Sequence, residues 1–448
     1  MNIPVVTLGQ PRGDLVGGLE RLHGPITVVR RCSELTELIA ACQSGLARAA
    51  VIADGTNDLT ASLAERLFAS GAAVVALTDD GAEAERLESF GVVVVGMTLE
   101  SAALAECIFD AVATFRLHYK TSWSGSGLSH TSVFPSAQEA RASEGPPQGM
   151  DGASSGLADG GSPACEVIAV WGPTGAPGRT LLAVNLASEL ASTGQKVLLI
   201  DSDTYGASVA AVLGLTDESA GIAQACRLAD QGLFDASALQ KTCVDIGLGP
   251  GTLSVLTGIT RPDRWPELRP VALGIIVGCA RQEFDALVVD AGFCLETDEE
   301  LSFDSAAPRR NAATLRILEL ADTIFAVGGA DPLGVPRLVR GLSELRARLP
   351  GAKIQVVLNR VRVSVVGRDP KRQIQDAWLR YGPQDRIAAF LPSDTQATDD
   401  ALKRGSLLLE IAPNSELRLA IRNLVCAPTQ QKRRTSVLSA TAHVWRNT

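Results

Sequence analysis

Apolar residues recur along the first part of the chain as short runs separated by segments of helical spacing. The runs predict strands at 4–8, 26–29, 49–53, 73–77 and 92–95. The intervening segments predict helices at 33–44, 59–70, 82–90 and 99–114. Strands that alternate with helices form a parallel sheet covered on both faces. Residues 1–118 are therefore predicted to form a doubly wound α/β domain.

The same alternation returns later in the chain. Near-continuous apolar runs predict buried parallel strands at 167–171, 197–200, 253–256, 286–289, 323–327, 354–358 and 387–391. A final segment of helical spacing covers 417–426. Residues 165–426 are predicted to form a second doubly wound parallel-sheet domain.

Two segments have no such pattern. Residues 119–164 are rich in Gly, Ser, Pro and Ala without a period, which predicts a flexible linker because too little apolar surface is present to fold alone. Residues 427–448 are polar and are predicted to be a loose C-terminal tail.

Composition narrows the class of protein. The 448 residues are 46% hydrophobic with a net charge of −9, so overall electrostatics do not favour nucleic acid or anionic lipid. The nine cysteines form no C-x-x-C pair, which favours a reducing compartment, and the four histidines show no ligand spacing. No signal peptide is predicted, and the longest apolar stretch, 271–280, is too short to span a bilayer. We expect a cytoplasmic protein.

The first strand of the second domain is followed by a Gly/Pro-rich loop, 172–178, after which a helix is predicted to begin. Small residues let main-chain N–H groups turn onto phosphate oxygens, and the helix N-terminus adds its dipole. The candidate donors are the N–H groups of Gly175, Ala176, Gly178, Arg179 and Thr180. Pro177 has no N–H, and the Thr180 hydroxyl stands where such loops hold Mg²⁺. An ordinary strand-to-helix turn is the alternative.

Acidic residues follow two other strands of this domain. Asp201 and Asp203 close one strand, and Asp290 closes another. Ligands of parallel sheets bind at the carboxyl ends of strands, where such acids can hold a metal and orient water. A single acid there is usually a turn residue, but the loop and the acids in this order are harder to produce by chance. The sequence thus predicts a nucleotide and Mg²⁺ site.

Residues 165–426 resemble the ParA/MinD group of deviant P-loop ATPases. The resemblance rests on GPTGAPGRT (172–180), KVLLIDSD (196–203), FDALVVDAG (284–292), the stretch from 321 to 345, VVLNRVR (356–362) and the segment from 390 to 417. It implies ATP as cofactor and dimerisation around ATP. It also implies that Thr180 and Asp290 serve Mg²⁺, that Asp203 orients the hydrolytic water, that Asn359 reads adenine and that Pro392 flanks the base.

The loop departs from the pattern of that family. Arg179 replaces the P-loop lysine, Thr174 replaces the additional lysine and Pro173 replaces the first glycine. Arg179 keeps positive charge near the phosphates, with a wider, planar group. Arg309 and Arg310 either compensate or form a solvated pair. We expect nucleotide binding with slow or absent hydrolysis, below about one turnover per second.

The first domain resembles a receiver domain of two-component signalling. Asp54 ends its third strand, where the phosphorylated aspartate of receivers lies, and Thr78 ends the fourth. The acid pair and lysine that phosphorylation requires are missing, so Asp54 and the Asp79–Asp80 pair are interpreted as turn residues. The domain is predicted to be a degenerate receiver that binds protein partners.

Together, the domains resemble the CpaE-like branch, which is associated with pilus assembly and has septum-site and partitioning relatives. The leading hypothesis is a nucleotide-controlled positioning or assembly switch. A pseudo-ATPase scaffold without turnover is the second hypothesis, and a metabolic P-loop enzyme is the third.

The expected partners are a second copy of the chain and proteins that bind residues 1–118. Non-specific DNA binding is not expected, although one basic cluster would suit it: Arg360, Arg362, Arg368, Lys371 and Arg372. The tail has no wide apolar stripe, so any recruitment to a membrane, pole or septum would occur through partners.

Overall fold

A computed structural model describes residues 2–9, 15–22, 24–123, 165–215, 220–297 and 308–425. We call residues 2–123 the N-terminal region and residues 165–425 the C-terminal region. Gln10, the predicted linker beyond residue 123 and the predicted tail lie outside the described residues.

The N-terminal region contains a five-stranded parallel sheet of order β2-β1-β3-β4-β5 in its described part. The strands are β1 (Ile3–Leu8), β2 (Ile26–Cys32), β3 (Ala49–Ile52), β4 (Ala73–Leu77) and β5 (Val93–Val95). The helices are α1 (Leu15–Arg21), α2 (Leu35–Gln43), α3 (Ala61–Ala69), α4 (Gly81–Ser89) and α5 (Ser101–Trp123), with a 3₁₀ turn at Thr56–Asp58. This is the strand order of flavodoxin-like sheets.

Buried apolar residues explain this sheet. Every residue of β3 and β4 is buried, and separate apolar clusters cover the two faces. Helix α1 is not among the predicted helices, because seven residues that include two glycines carry too little periodicity. Helix α5 runs through Trp123, past residue 119, where the linker is predicted to begin.

The C-terminal region contains an eight-stranded sheet of order β13-β12-β11-β6-β10-β7-β9-β8 in the described residues. Its strands are β6 (Glu166–Trp171), β7 (Lys196–Asp201), β8 (Val244–Leu248), β9 (Gly251–Leu256), β10 (Ala286–Asp290), β11 (Thr323–Gly329), β12 (Ile354–Val361) and β13 (Ile387–Pro392). The seven predicted strands are present, and the parallel-sheet α/β fold is confirmed. Strand β8 adds an antiparallel edge.

Helices cover both faces of this sheet. They are α6 (Arg179–Ser192), α7 (Val209–Val212), α8 (Gly221–Asp230), α9 (Ala236–Thr242), α10 (Pro270–Glu283), α11 (Ala312–Leu320), α12 (Gly334–Arg348), α13 (Val363–Val366), α14 (Pro370–Tyr381), α15 (Thr395–Arg404), α16 (Leu408–Ile411) and α17 (Glu416–Val425), with a 3₁₀ turn at Pro262–Glu267. Within the described residues, none of the helices combines the length and apolar character needed to cross a membrane.

The order of the strands positions the candidate site. Strand β10 lies between β6 and β7 and is parallel to both. Its last residue, Asp290, pairs in register with Asp201 at the end of β7. The loop after β6 therefore opens at the same sheet edge as both carboxylates.

The two regions contact each other through α3 and α4 of the N-terminal region. The Ser62 N–H in the first turn of α3 donates to Asp230 Oδ1 over 2.9 Å, and Asp230 Oδ2 accepts from Arg269 over 2.6 Å. Arg86 of α4 donates to the Gln231 carbonyl over 3.4 Å and to the Leu59 carbonyl over 2.9 Å. The bonds to Asp230 and to the Gln231 carbonyl join the N-terminal region to the end of α8.

Candidate nucleotide site

The loop between β6 and α6 has the backbone of a tight phosphate-binding turn. Gly175 and Gly178 adopt φ values of +77° and +80°, a region that favours glycine. A Cβ on Gly172 would overlap the Val327 carbonyl oxygen, so a side chain does not fit there. The Ala176 N–H donates to the Pro173 carbonyl over 2.9 Å, so this predicted phosphate donor already closes a turn.

Thr180 and Asp290 meet at the base of the loop. The Thr180 hydroxyl donates to Asp290 Oδ2 over 2.6 Å, as the metal-site prediction requires of these two residues. Asp290 is 1% exposed, and its Oδ1 has no hydrogen-bond partner among the described residues. Burial, followed by the nearby charge of Asp201, raises the pKa of Asp290 to about 8. A hydroxyl beside a buried carboxylate with a spare oxygen fits Mg²⁺.

Asp201 lies close to this pair but has other bonds. Its Oδ2 accepts from the N–H groups of Ser208 and Val209 over 2.9 and 3.0 Å, and its Oδ1 accepts from the Asp203 N–H over 3.2 Å. Burial raises the pKa of Asp201 in spite of these bonds, which act in the opposite direction. Asp201 thus holds the loop after β7, and its predicted role as a metal ligand stays a prediction.

Arg179 connects the loop to both acidic segments. Its Nη1 donates to the Ala291 carbonyl over 2.9 Å, and its Nη2 pairs with Asp203 Oδ2 at 3.2 Å. The other oxygen of Asp203 accepts from the Tyr205 N–H over 2.8 Å. The guanidinium that replaces the P-loop lysine is therefore paired with the predicted water-orienting carboxylate.

Asn359 lies at the end of the loop, on β12. Its Nδ2 donates to the Pro177 carbonyl over 3.0 Å, and its Oδ1 accepts from the Arg360 N–H over 2.8 Å. Pro392 lies on the neighbouring strand β13, where it pairs in register with Val361 of β12. The contacts give Asn359 a part in holding the loop, while its adenine-reading role and that of Pro392 stay predictions.

One cation at this site was not predicted from the sequence. Arg337, on the first turn of α12, places Nη1 only 2.7 Å from where a Cβ on Gly175 would stand. Thr174, which stands in place of the additional lysine, is exposed. The sequence held no signal for Arg337, because a distant segment brings it to the loop.

Arg310 is part of a network, so the interpretation as a solvated residue is wrong for it. Its Nη2 donates to the Thr204 carbonyl over 2.8 Å, and its Cζ lies 3.8 Å from the centroid of the Tyr205 ring. The Tyr205 hydroxyl donates to Asn311 Oδ1 over 2.8 Å. Arg310 thereby joins the segment after β7 to the start of α11, whereas Arg309 is exposed.

Asp54 and Asp80 bond within turns of the N-terminal region, in keeping with their interpretation as turn residues, whereas Asp79 bonds to a residue 18 positions further on. Asp54 Oδ1 accepts from the Gly55 N–H over 2.8 Å, and Asp80 caps α4 through the Ala82 N–H over 3.0 Å. Asp79 Oδ1 accepts from the Met97 N–H over 2.8 Å. A Cβ on Gly9 would overlap Asp54, which leaves little room beside that carboxylate.

A glycine loop between a strand and a helix, with a threonine and carboxylates at one sheet edge, defines a P-loop nucleotide-binding fold. Residues 164–231 match a ParA family model, described as NUBPL iron-transfer P-loop NTPase. Residues 164–231 thus belong to a ParA/MinD-type P-loop NTPase domain, as the sequence predicted. The CpaE-like branch and the receiver identity stay predictions.

A curated relative and several solved structures are similar to the chain. It is 32% identical over 148 residues to the antiactivator FleN of Pseudomonas aeruginosa, a match that covers 32% of this chain and 48% of FleN. The chain thus spans about half the length of this relative.

Two of the solved structures have similar sequence identities to this chain, below that of FleN. The septum site-determining protein MinD of Pyrococcus horikoshii, complexed with Mg-ADP, is 18% identical with a TM-score of 0.46, covering 58% of this chain and 94% of that one. A ParA family ATPase of Chlorobium tepidum is 19% identical with a TM-score of 0.46, covering 58% and 98%.

Proposed function

We propose that the C-terminal region binds ATP with Mg²⁺ and acts as a nucleotide-controlled positioning or assembly switch with slow hydrolysis. The observation that carries the proposal is the Thr180–Asp290 pair, 2.6 Å apart at the base of a glycine loop. In the proposed nucleotide-bound state, Thr180 and Asp290 would hold Mg²⁺, and main-chain N–H groups of the loop, including those of Gly175 and Gly178, would bind phosphate oxygens. Bound Mg²⁺ would neutralise phosphate charge and withdraw electrons from the terminal phosphoryl group.

Two arginines supply positive charge in place of the two lysines of the family pattern. Arg179 lies at the start of α6, and Arg337 lies over Gly175. Both belong to the same chain, so the charge at the loop does not depend on a second copy. In this proposal Asp203 orients water only after Arg179 moves from it to phosphate, which makes hydrolysis slow.

The second candidate is a pseudo-ATPase scaffold that binds partners without turnover. The ion pair between Arg179 and Asp203 favours it, because it occupies the carboxylate that would orient water. In this scaffold, nucleotide stabilises the fold and does not change the oligomeric state.

Calorimetry with ATP and ADP, each with and without Mg²⁺, combined with light scattering, separates the candidates. ATP binding with ATP-dependent dimerisation supports the switch, and binding without a change of mass supports the scaffold.

Arg337→Ala should weaken the binding of ATP by about tenfold and the binding of ADP by less, because the Arg337 guanidinium is expected near the terminal phosphate of ATP. Arg348→Ala, an exposed position on the same helix, is the matched control. Absence of nucleotide binding would overturn both candidates.

The cellular role rests on resemblance. We assign the protein to the positioning or assembly of cellular machinery of the pilus, septum-site or partitioning type, recruited from the cytoplasm by partners. Those partners are proposed to bind the N-terminal region, on surfaces other than the parts of α3 and α4 that meet α8.

A further inference from the structure

A groove of about 700 Å³ lies between α12 and α14 in the C-terminal region. Its lining is largely apolar and includes Val335, Val339, Val366, Ala377 and Trp378. None of its lining residues belongs to the glycine loop or to the acidic segments of the candidate nucleotide site. The groove is therefore a separate feature of the surface.

The floor of the groove is held in place by buried contacts. Ile374 and Trp378 are each 6% exposed, and the Trp378 indole Nε1 donates to the Asp385 carbonyl over 2.9 Å. The Asp385 carboxylate in turn accepts from the Arg346 guanidinium, on the opposite helix. Since these bonds tie α12 to the end of α14, the groove exists before any partner binds.

Large apolar side chains are exposed on the elements around it. Of the large apolar residues exposed in the described part of the chain, four lie on or beside α12, α13 and α14: Leu333, Val363, Leu379 and Tyr381. Tyr381 lines the groove itself and is 80% exposed. An exposed aromatic side chain on the wall of an apolar groove is typical of a site for a protein partner.

The segment of the chain that contains the groove has a net charge of the opposite sign to that of the whole chain. Residues 331–386 contain twelve Lys and Arg against five Asp and Glu, whereas the whole chain has a net charge of −9. One of the five acids, Asp385, is paired with Arg346. Arg340 and Asp331 both line the groove, and Arg380 is exposed on α14. An apolar floor within a segment that is rich in arginine and lysine favours a ligand that is apolar on one face and acidic on the other.

We propose that this groove binds an acidic amphipathic helix of a partner protein. Such a helix places residues at i, i+3, i+4 and i+7 on the floor and leaves its carboxylates beside the arginines. An extended strand would need a free sheet edge, and the groove is lined by helices and loops. Duplex DNA has phosphates for the rim but no apolar side chains for the floor.

The probe is a labelled helical peptide of about 18 residues, with Leu on one face and Glu on the other. Two matched peptides carry Lys in place of Glu, or the same residues with Leu spread around the helix. By fluorescence anisotropy, the acidic amphipathic peptide should bind the full chain with a Kd on the order of 10 µM, weakening as salt is raised. The other two peptides should bind at least about tenfold more weakly.

Two pairs of variants locate the site. Ala377→Glu puts a charge on the groove wall, and Arg340→Glu reverses the charge of its rim. Each variant should bind the acidic peptide about tenfold or more weakly than the wild type does. The controls are Ala347→Glu and Arg348→Glu, which make the same changes at exposed positions of α12 outside the groove and should change the Kd by less than about twofold. Circular dichroism verifies folding.

Several outcomes would overturn the proposal. If the basic peptide binds as tightly as the acidic one, charge does not select the ligand. If the peptide with Leu spread around the helix binds as tightly, the apolar groove does not select it. Binding of a short DNA duplex that Arg340→Glu abolishes, without binding of the acidic peptide, would assign the surface to nucleic acid. Self-association that Ala377→Glu abolishes would assign it to a second copy.

Discussion

Arg179 pairs with Asp203 at 3.2 Å and donates to the Ala291 carbonyl, so one side chain contacts both acidic segments of the site. An arginine in this position is planar and presents several donors, whereas a lysine is a compact point charge. This single residue therefore decides how free Asp203 is to orient water.

Replacing this arginine tests that role directly. Arg179→Lys should raise ATP turnover by about tenfold or more, because the ammonium reaches phosphate and the pair with Asp203 weakens. Arg179→Ala should instead weaken ATP binding. Steady-state phosphate release measures both variants, with Arg348→Lys as the surface control. Unchanged turnover in Arg179→Lys would favour the scaffold over the switch.

Asp290 predicts how stability depends on pH. Its pKa in the folded chain, about 8, lies above that of an unfolded aspartate, because the carboxyl is buried beside Asp201. Because the folded chain holds this proton more tightly than the unfolded chain does, protonation of Asp290 stabilises the fold at low pH. This contribution falls as the pH rises and is lost once the pH passes about 8. Urea unfolding without Mg²⁺ or nucleotide should show lower stability at about pH 9 than at about pH 6.5, by on the order of 1 kcal/mol.

Asp290→Asn should reduce this pH dependence, since the amide does not ionise. The control is Asp263→Asn: Asp263 is exposed, and hydrogen bonding to Arg261 lowers its pKa, so it stays ionised over this range in either state. A wild-type stability that is flat or rises between the two pH values would contradict the assignment.

Helix α17 is attached to the loop-bearing helix α6 by an ion pair. Arg418 Nε donates to Glu189 Oε1 over 2.6 Å, and the Glu189 side chain is 1% exposed. Helix α17 therefore helps to hold α6 in position, and with it the glycine loop at the N-terminus of α6. Removing one member of a buried pair leaves the other without compensation.

Arg418→Ala should therefore destabilise the protein by about 3–5 kcal/mol. The double variant Glu189→Leu, Arg418→Met replaces both charges with apolar groups and should be far less damaging. Denaturant unfolding measures both. If the single variant costs less than the double one, the pair does not stabilise the contact between α6 and α17.

The pattern of apolar residues predicted most elements, and the exceptions have physical causes. Strand β8 alternates between half-buried and exposed residues at the sheet edge before its buried last residue, so it lacks the continuous apolar run of the buried strands. Helix α1 is too short for its period to be recognised. Buried parallel strands, by contrast, must be apolar on both faces and are visible in sequence.

At the scale of the whole molecule, the N-terminal region contacts the C-terminal region through polar bonds to α8 and through packing of α3 against α10. Asp230 is 7% exposed and accepts from both Ser62 and Arg269. Asp230→Ala should weaken the contact between the regions, because the Ser62 N–H group and the Arg269 guanidinium lose a shared acceptor. Fluorescence transfer between dyes on the two regions should fall, while Asp263→Ala should leave it unchanged. Undiminished transfer in Asp230→Ala would contradict this account of the interface.

The sequence by itself determined the parallel α/β architecture, the glycine loop, and the order of Thr180, Asp201, Asp203 and Asp290. It could do so because strand burial and main-chain phosphate binding impose local constraints on residue type. Only the tertiary structure decided which partners these side chains have. The pair of Arg179 with Asp203, the arrival of Arg337 at Gly175 and the groove between α12 and α14 join segments distant in the chain, and their contacts depend on strand order and helix packing rather than on local pattern.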